Sequence, residues 1–288
     1  MEYHKERFKD WSLIVYKNGE PLALLAAHEV GEHIHSHSGL TYGGLILSAK
    51  TTTSDFLNAF GTVLHFLHEN GFSKFDVKTI PSIYHKLPSD ELHYAAFLAD
   101  ANLTRRDFLS VVDLSQEITF SNDRLKGLKR GLKCKLEVRE SDCCDAFWKD
   151  LLVKRLQERF NTDPVHSLDE ITRLKDAFPK NIRQFNVYMG RELVAGTTLF
   201  VSDKVVHSQY IAADGRENLT GALDFLHIHL LKLFKEKKQY FDFGISNEDE
   251  GRKFNSGLAY WKEGFMARGI VHDFYSFQTK NYLKLLQR

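Results

Sequence analysis

Cysteine, proline and any excess of one charge are scarce in this sequence of 288 residues. It has 3 cysteines, 5 prolines and 39 Lys+Arg against 38 Asp+Glu, which gives a formal net charge of +1. An odd cysteine count, with Cys143 and Cys144 adjacent, argues against a disulfide framework and indicates a reducing compartment. The balanced charge excludes the global basic field that holds nucleic acid or an anionic membrane.

Long hydrophobic runs and a leader-like start are also missing. No window approaches the ~18 apolar residues of a membrane span, and the run from Leu22 to Ala27 is long enough for a strand only. The first eleven residues are charged and lack the apolar core of a signal peptide. The sequence therefore predicts a soluble, cytoplasmic protein without a membrane span.

What is present is typical of a globular protein, with 43% hydrophobic and 27% charged residues. The length allows one large domain or two of ~100–150 residues. The first half predicts a hairpin about Asn18-Gly19, two further strands and a helix. Their bounds are Trp11 to Lys17, Glu20 to Ala27, Gly43 to Ser48 and Phe75 to Ile80 for the strands, and Thr53 or Ser54 to about Asn70 for the helix.

The second half repeats this order. It predicts strands over Asn186 to Met189, Glu192 to Val201, Val205 to Ala212 and Tyr240 to Gly244, with a helix over Leu219 to Lys237 before the last of them.

The two halves overlay without gaps. Phe75-Asp76-Val77 falls on Phe241-Asp242-Phe243 at an offset of 166 residues, the difference between 242 and 76, and the same offset places helix on helix. The repeated order favours a duplicated domain. A boundary near residue 135 gives domains of residues 1–135 and 136–288, and the helical stretches 144–160 and 168–178 belong to the second.

A loop from Ala213 to Ala222 joins a predicted strand to the second helix. Gly215, Gly221 and the helix N-terminus would direct backbone N–H groups and the positive end of the helix dipole towards an anion. An ordinary turn capped by Asn218 or Thr220 is the alternative. The loop matches neither a P-loop nor a GxGxxG fingerprint, so the sequence alone leaves both interpretations open.

Several segments resemble the GNAT acyltransferase superfamily, in the FemAB-like branch whose members carry two tandem GNAT-type domains. In the first half the resemblance is carried by the block from Ser36 to Leu45. In the second half it is carried, in order, by residues 164–170, 193–197, 207–212, 221–224, 240–246 and 262–265. The resemblance covers most of residues 35–80 and 160–275.

The resemblance implies an α/β fold, layered as α+β, of two tandem GNAT-like domains. Each has a central mixed, mostly antiparallel sheet flanked by helices, and the second is more complete. It also implies acyl transfer to a primary amine from acetyl-CoA or another acyl-CoA, whose pantetheine arm enters between splayed central strands. The residues implied to bind this co-substrate are Gly215, Arg216, Leu219, Thr220, Gly221 and Ala222. Their spacing departs by one residue from the family's usual loop, a departure shared with branches that use aminoacyl-tRNA.

Groups that handle the proton of the attacking amine are expected at the ends of the splayed strands. The catalytic candidates are His207, Tyr210 and Asp242, with Glu248 or Glu250 beyond the last strand. Asp242 alternates with Phe241 and Phe243, and a structural role as a backbone acceptor stays open for it, as does a satisfied, half-buried position for His207. Direct attack needs no covalent enzyme intermediate, so the lack of a nucleophile motif does not count against this function.

Substrate-binding candidates lie in both halves, and the resembling block contributes His37 and Tyr42, which are expected in the cleft between the domains. The candidates are His37, Tyr42, Gln209, Ser246, Asn255 and Lys262. For Lys262, as for Arg252, a solvated helix face is the alternative interpretation.

His33, His35 and His37 alternate, so a strand would place all three on one face, as in some zinc sites. Side chains two residues apart on a strand are ~6.5–7 Å apart, so three of them do not converge on one ion unless a bulge bends the strand. We therefore expect no metal.

The function predicted from the sequence is N-acyl transfer from acyl-CoA to a small-molecule, glycan or peptide amine. FemAB-like aminoacyl transfer to a cell-wall precursor or amino sugar is the alternative enzyme, and tRNA would be a partner only in that case. A ligand-binding protein that has the fold without turnover is the alternative from another class. The near-neutral charge counts for a small donor and against tRNA.

Overall fold

The computed structural model describes residues 6–286, apart from the side chains of residues 159 and 160. Strands in these residues are β1 (Lys9–Asp10), β2 (Leu13–Lys17), β3 (Glu20–Leu25), β4 (His28–Val30), β5 (His33–His35), β6 (Leu45–Leu47), β7 (Lys74–Lys78), β8 (Asn102–Asp113), β9 (Leu136–Ser141), β10 (Ile182–Met189), β11 (Glu192–Val201), β12 (Val205–Ala213), β13 (Tyr240–Ile245), β14 (Asn247–Glu248), β15 (Lys253–Phe254) and β16 (Arg268–Gln278).

The helices alternate with these strands. They are α1 (Thr53–Glu69), α2 (Glu91–Leu98), α3 (Asn122–Lys133), α4 (Asp145–Phe147), α5 (Val153–Phe160), α6 (Leu168–Ala177), α7 (Glu217–Thr220), α8 (Ala222–Phe234), α9 (Ser256–Glu263) and α10 (Leu283–Leu286). A π-helical turn, Trp148–Leu152, joins α4 to α5. No helix within residues 6–286 has both the length and the apolar character needed to cross a membrane.

Two compact units share the chain. Unit one comprises Met1–Asp107, Asn247–Lys253 and Val271–Arg288, and unit two comprises Phe108–Ser246 and Phe254–Ile270. The chain first passes from one unit to the other inside β8, after Asp107. The limits predicted from the overlay, 1–135 and 136–288, describe the extent of a sequence repeat, which packing does not test, and they stay a prediction.

Unit one contains a sheet of strand order β1-β4-β5-β7-β16, in which β5 and β7 are parallel and the other described pairs are antiparallel. The predicted hairpin is present as β2 and β3, with positive φ at Asn18 and Gly19, and it forms a second sheet with β6. Helix α1 buries the side chains of its predicted apolar stripe, including Phe56, Phe60 and Leu64, in the core of this unit.

Unit two contains a sheet of order β8-β13-β12-β11-β10-β9, in which β12 and β13 are parallel and the other described pairs are antiparallel. Helix α8 buries Leu226, Leu230 and Phe234 in the same core as Phe241 and Phe243 of β13. A separate cluster contains Trp148 and Tyr210. The predicted fold class is therefore confirmed, because the sheet of each unit is mixed, mostly antiparallel and flanked by helices.

Two local predictions need correction. The helix predicted from Leu219 begins at Ala222, because Gly221 takes a left-handed conformation with φ 62° and separates α7 from α8. The strand predicted to carry three alternating histidines ends at His35, because His37 has φ 48°. An L-residue at positive φ cannot continue a strand.

Candidate active site

The parallel strands β12 and β13 form a fork in unit two. Their register pairs are Val205 with Tyr240, Val206 with Phe241 and His207 with Asp242. Both strands continue beyond the last pair, β12 to Ala213 and β13 to Ile245, without further pairing to each other. The expected splay of the two strands is therefore present, and it opens directly after His207 and Asp242.

A hydrogen bond joins the two side chains at the base of this fork. Nδ1 of His207 lies 2.9 Å from Oδ2 of Asp242, and the other carboxylate oxygen accepts the Gly244 N–H at 2.7 Å. The Asp242 side chain is 0% exposed and that of His207 is 11% exposed. Because a carboxylate only accepts hydrogen bonds, the neutral imidazole carries its proton on Nδ1 and its lone pair on Nε2. Such an imidazole is oriented to act as a base.

A β-bulge in β12 follows the His–Asp pair. Ser208 is opposite Leu199 and Tyr210 is opposite Thr198, so Gln209 is the extra residue. An extra residue shifts the alternation of side chains, which places His207 and Tyr210 on the same face although they are three apart. The Tyr210 hydroxyl lies 2.6 Å from Nδ1 of His166, and its ring packs against Trp148. The side-chain oxygen of Gln209 is buried without a hydrogen-bond partner among the described residues.

Lys262 of α9 closes the end of β13. Its ammonium donates to the carbonyls of Gly244 and Ile245 at 3.0 and 2.6 Å, and burial lowers its pKa to about 8 although Asp242 acts in the opposite direction. The solvated face considered for this lysine is wrong, since the side chain is buried, whereas Arg252 is exposed. Two more candidates adjoin it: Ser246 shares a hydrogen bond with Ser110, and Asn255 caps α9 through Leu258 N–H.

The loop before α8 is closed by groups of the protein itself. The carboxylate of Glu217 accepts the Leu223 N–H at 3.0 and 3.2 Å, and burial raises the pKa of Glu217 to about 7. A Cβ added to Gly221 would lie 2.4 Å from the carbonyl oxygen of Gly127, so α3 covers the N-terminus of α8. Arg216 pairs with Asp214 and Glu192 at 2.7 and 2.9 Å.

A family model described as "Acetyltransferase (GNAT) domain" matches residues 122–256. These residues are a GNAT domain. The match contains the fork, the His207–Asp242 pair and the loop before α8. Among curated proteins, none matches the chain.

Solved structures extend this likeness to the whole chain. FemX has a TM-score of 0.64 at 12% identity and covers 100% of this chain and 92% of its own. L-PGS from Bacillus licheniformis has a TM-score of 0.61 at 14% identity and covers 96% and 90%. A tandem GNAT protein from the clavulanic acid biosynthesis pathway has a TM-score of 0.52 at 8% identity and covers 93% and 82%. At these identities the likeness shows the fold alone, which is the tandem GNAT fold of the FemAB-like branch.

The GNAT domain brings several of the predicted site residues together. His207 and Asp242 form the base of its fork, Gln209 and Tyr210 follow on β12, and Ser246, Asn255 and Lys262 surround the end of β13. In the loop, Gly215 has no heavy atom near its Cβ position, Leu219 is 72% exposed, and Thr220 and Ala222 are buried. The roles assigned to all these residues stay predictions.

His37 and Tyr42 lie in unit one, where their contacts are aromatic. The His37 ring is 5.0 Å from that of Phe8 and 5.1 Å from that of His28, and the Tyr42 hydroxyl donates to Tyr84 at 2.8 Å. Unit one also has a cavity of about 370 Å³ beside Leu45, Thr79 and Leu92. A substrate-binding role for His37 and Tyr42 stays a prediction.

Sequence reasoning missed Glu217 and His166 as partners of the GNAT site. Glu217 was visible as a carboxylate four residues before the predicted glycine, but its hydrogen bond depends on the left-handed Gly221, which turns α7 back towards α8. His166 lies inside a segment that resembles the family, and no spacing in the sequence links it to Tyr210, 44 residues later.

Proposed function

We propose that this chain is an acyltransferase in which His207 takes the proton from an attacking primary amine. The observation that carries the proposal is the hydrogen bond between His207 and the fully buried Asp242 at the base of the fork. A carboxylate behind a histidine holds the tautomer and stabilises the imidazolium formed when the base accepts a proton.

The proposed reaction needs no covalent enzyme intermediate. The amine nitrogen forms a bond to the carbonyl carbon of the donor while its proton passes to Nε2 of His207. The tetrahedral intermediate then collapses by breaking the bond between that carbon and the oxygen or sulfur of the donor, and the imidazolium protonates this leaving group. Hydrogen-bond donors directed into the fork would stabilise the oxyanion.

For the donor we propose an aminoacyl ester, as on aminoacyl-tRNA, in preference to acyl-CoA. Pyrophosphate bound at the N-terminus of α8 would have to displace the Glu217 carboxylate from Leu223 N–H and to move α3 away from Gly221. Arg216, which the resemblance assigned to the pyrophosphate, already pairs with two carboxylates. The FemAB-like fold, shared with FemX, agrees with an aminoacyl donor.

A local basic surface supports the same donor. Lys126, Lys129 and Lys133 of α3 and the following Lys135 are exposed, within ten residues of chain. Phosphate contacts by lysines provide most of the sequence-independent affinity for nucleic acids. The net charge of +1 excludes a global basic field, but it does not exclude this local one. A cytoplasmic location belongs to the proposal, because charged tRNA is found there.

Acyl-CoA is the second candidate donor, favoured by the splay of β12 and β13, which leaves room for a narrow chain between them. The experiment offers the purified full chain both donors with one panel of amines: amino sugars, lysine-containing peptides and diamines. Free thiol reports transfer from acyl-CoA, and label in an amide product reports transfer from radiolabelled aminoacyl-tRNA.

We expect amide product from aminoacyl-tRNA and none in the His207→Gln variant. The double variant Lys129→Gln/Lys133→Gln should weaken tRNA binding and flatten its dependence on salt, whereas Lys232→Gln/Lys237→Gln, with the same loss of charge from exposed positions of unit two, should not. Thiol release without transfer from tRNA would overturn the proposed donor. No amide product with either donor would overturn acyl transfer and favour a binding protein.

A further inference from the structure

Two histidines and an aspartate meet on one face of the unit-one sheet, outside the GNAT site. His33 and His35 lie on β5, two residues apart and therefore on the same face. Asp76 lies on the neighbouring parallel strand β7, in register with His35. The third member of the cluster thus comes from another strand, 41 residues later, and His37 is not part of it.

The distances within this cluster suit a shared ion better than hydrogen bonds. Nδ1 of His33 and Nδ1 of His35 each lie 3.6 Å from the same oxygen, Oδ2 of Asp76, and the three atoms are all within 4.8 Å of one another. A separation of 3.6 Å is too long for a hydrogen bond. Ligands of a tetrahedral ion with bonds of about 2.0–2.2 Å are roughly 3.3–3.6 Å apart.

The surroundings hold the histidines in place and leave access to them. The ring of His35 stacks on that of the buried His28, with centroids 5.3 Å apart, and burial lowers the pKa of both, which favours the neutral imidazole that binds metals. The side chains of His33, His35 and Asp76 are 37%, 30% and 29% exposed. A cavity of about 280 Å³ adjoins His35 and Asp76.

The cations beside this cavity are engaged elsewhere. Lys78 donates to the carbonyl of Leu40, and Arg105 forms a bidentate pair with Asp107. They therefore do not occupy the oxygen of Asp76 that lies between the two imidazoles.

We propose that unit one binds a divalent transition-metal ion of the zinc type through Nδ1 of His33, Nδ1 of His35 and a carboxylate oxygen of Asp76. Water entering from the cavity completes the coordination. Two imidazoles select zinc, cobalt or nickel over magnesium and calcium, which prefer oxygen ligands.

The test uses the full chain without a histidine tag, because a tag binds the same ions. Zn²⁺ is titrated in competition with a chromophoric chelator, and Co²⁺ is added separately so that its visible absorption reports the ligands. We expect one equivalent of Zn²⁺, no competition by excess Mg²⁺, and a cobalt spectrum typical of nitrogen and oxygen ligands.

The variants Asp76→Asn and His35→Gln should each lower zinc affinity at least about 10-fold. His65→Gln is the matched control, since His65 and Glu69 form an exposed histidine–carboxylate pair without a third ligand among the described residues. Thermal unfolding of the metal-free variants checks that they are folded. The proposal is overturned if Asp76→Asn binds like the parent, if His65→Gln loses the ion, or if a cobalt–thiolate band assigns it to the exposed Cys143.

Discussion

The two units place a histidine and an aspartate at the same point of the same motif. In each, a strand is followed by a crossover that contains a long helix and then by a parallel strand, and the pairs are His35 with Asp76 and His207 with Asp242. In unit two the side chains are buried and hydrogen-bonded at 2.9 Å, whereas in unit one they are partly exposed and 3.6 Å apart. One backbone arrangement therefore supports an oriented base in one unit and an open ligand set in the other.

The residue two positions after each aspartate explains much of the difference. In unit two it is Gly244, whose φ of 72° turns its N–H back onto the Asp242 carboxylate. At the offset of 166 residues, unit one has Lys78, which continues β7 as a regular strand. Asp76 has no such backbone contact to hold it, and it lies between two imidazoles.

The largest expected effect separates the pairs by function. His207→Gln removes the proposed base and should lower the rate of amide formation by roughly 10²–10⁴-fold, the usual contribution of general base catalysis. His65→Gln, an exposed histidine of unit one, is the control and should keep the parental rate. The measurement is the initial rate with the preferred donor as a function of pH. The rate of the parent should rise with pH as a base is deprotonated, and that of His207→Gln should lose this rise. A variant at His207 that keeps most of the rate would contradict the difference drawn between the two pairs.

Local patterns made much of the fold predictable. The Asn18-Gly19 turn, the apolar stripe of α1 and the alternation in β11 and β12 are encoded by neighbouring residues, and the structure confirms them. The offset of 166 residues placed β7 on β13, and both strands are present at those positions. What could not be predicted was pairing between distant segments, such as β8 with β13 and β7 with β16.

The site shows the same limit. The sequence named His207 and Asp242 separately, but their hydrogen bond follows from the register of β12 and β13. The pair in unit one was harder to see because 207 minus 35 gives 172, six more than the offset of the aspartates. Burial of Lys262 could not be predicted either, since a lysine on a short helix is usually solvated.

The helix before each aspartate strand offers the second prediction, because α1 and α8 begin differently. Burial raises the pKa of Glu217 to about 7 from an ordinary 4.5, so the folded state holds its proton more tightly than the unfolded state. Stability from this group is therefore full below pH ~4.5 and is lost as the pH rises through ~7. Glu217→Gln keeps an acceptor for Leu223 N–H and should remove about 2–3 kcal/mol of the fall in unfolding free energy between pH 5 and pH 8.

Urea denaturation of the parent and Glu217→Gln at both values of pH measures this difference. An identical fall in the two proteins would mean that the carboxylate is not buried at the start of α8. The argument against a pyrophosphate at that position would then lose its main support.

The third prediction compares the two aspartates as structural groups. In Asp242→Asn one of the two donors, His207 Nδ1–H or Gly244 N–H, loses its acceptor inside the protein, and this should cost about 1–3 kcal/mol. Asp76→Asn changes a partly exposed group and should cost less than about 0.5 kcal/mol in the metal-free protein. Equal losses in thermal or urea unfolding would show that the two pairs do not differ in burial as described.

The smallest effect tests the ordinary cap of α1 against the unusual start of α8. Thr52 accepts the Asp55 N–H through its hydroxyl, so Thr52→Ala should lower the unfolding free energy by about 1 kcal/mol. The neighbouring Thr53→Ala is the matched control: Thr53 is the first residue of the helix, where alanine has the better helix propensity, and it should be neutral or slightly stabilising. The shift in urea midpoint measures both. If Thr52→Ala has no effect, the start of α1 is fixed by packing instead of its cap, as Glu217 and α3 fix the start of α8.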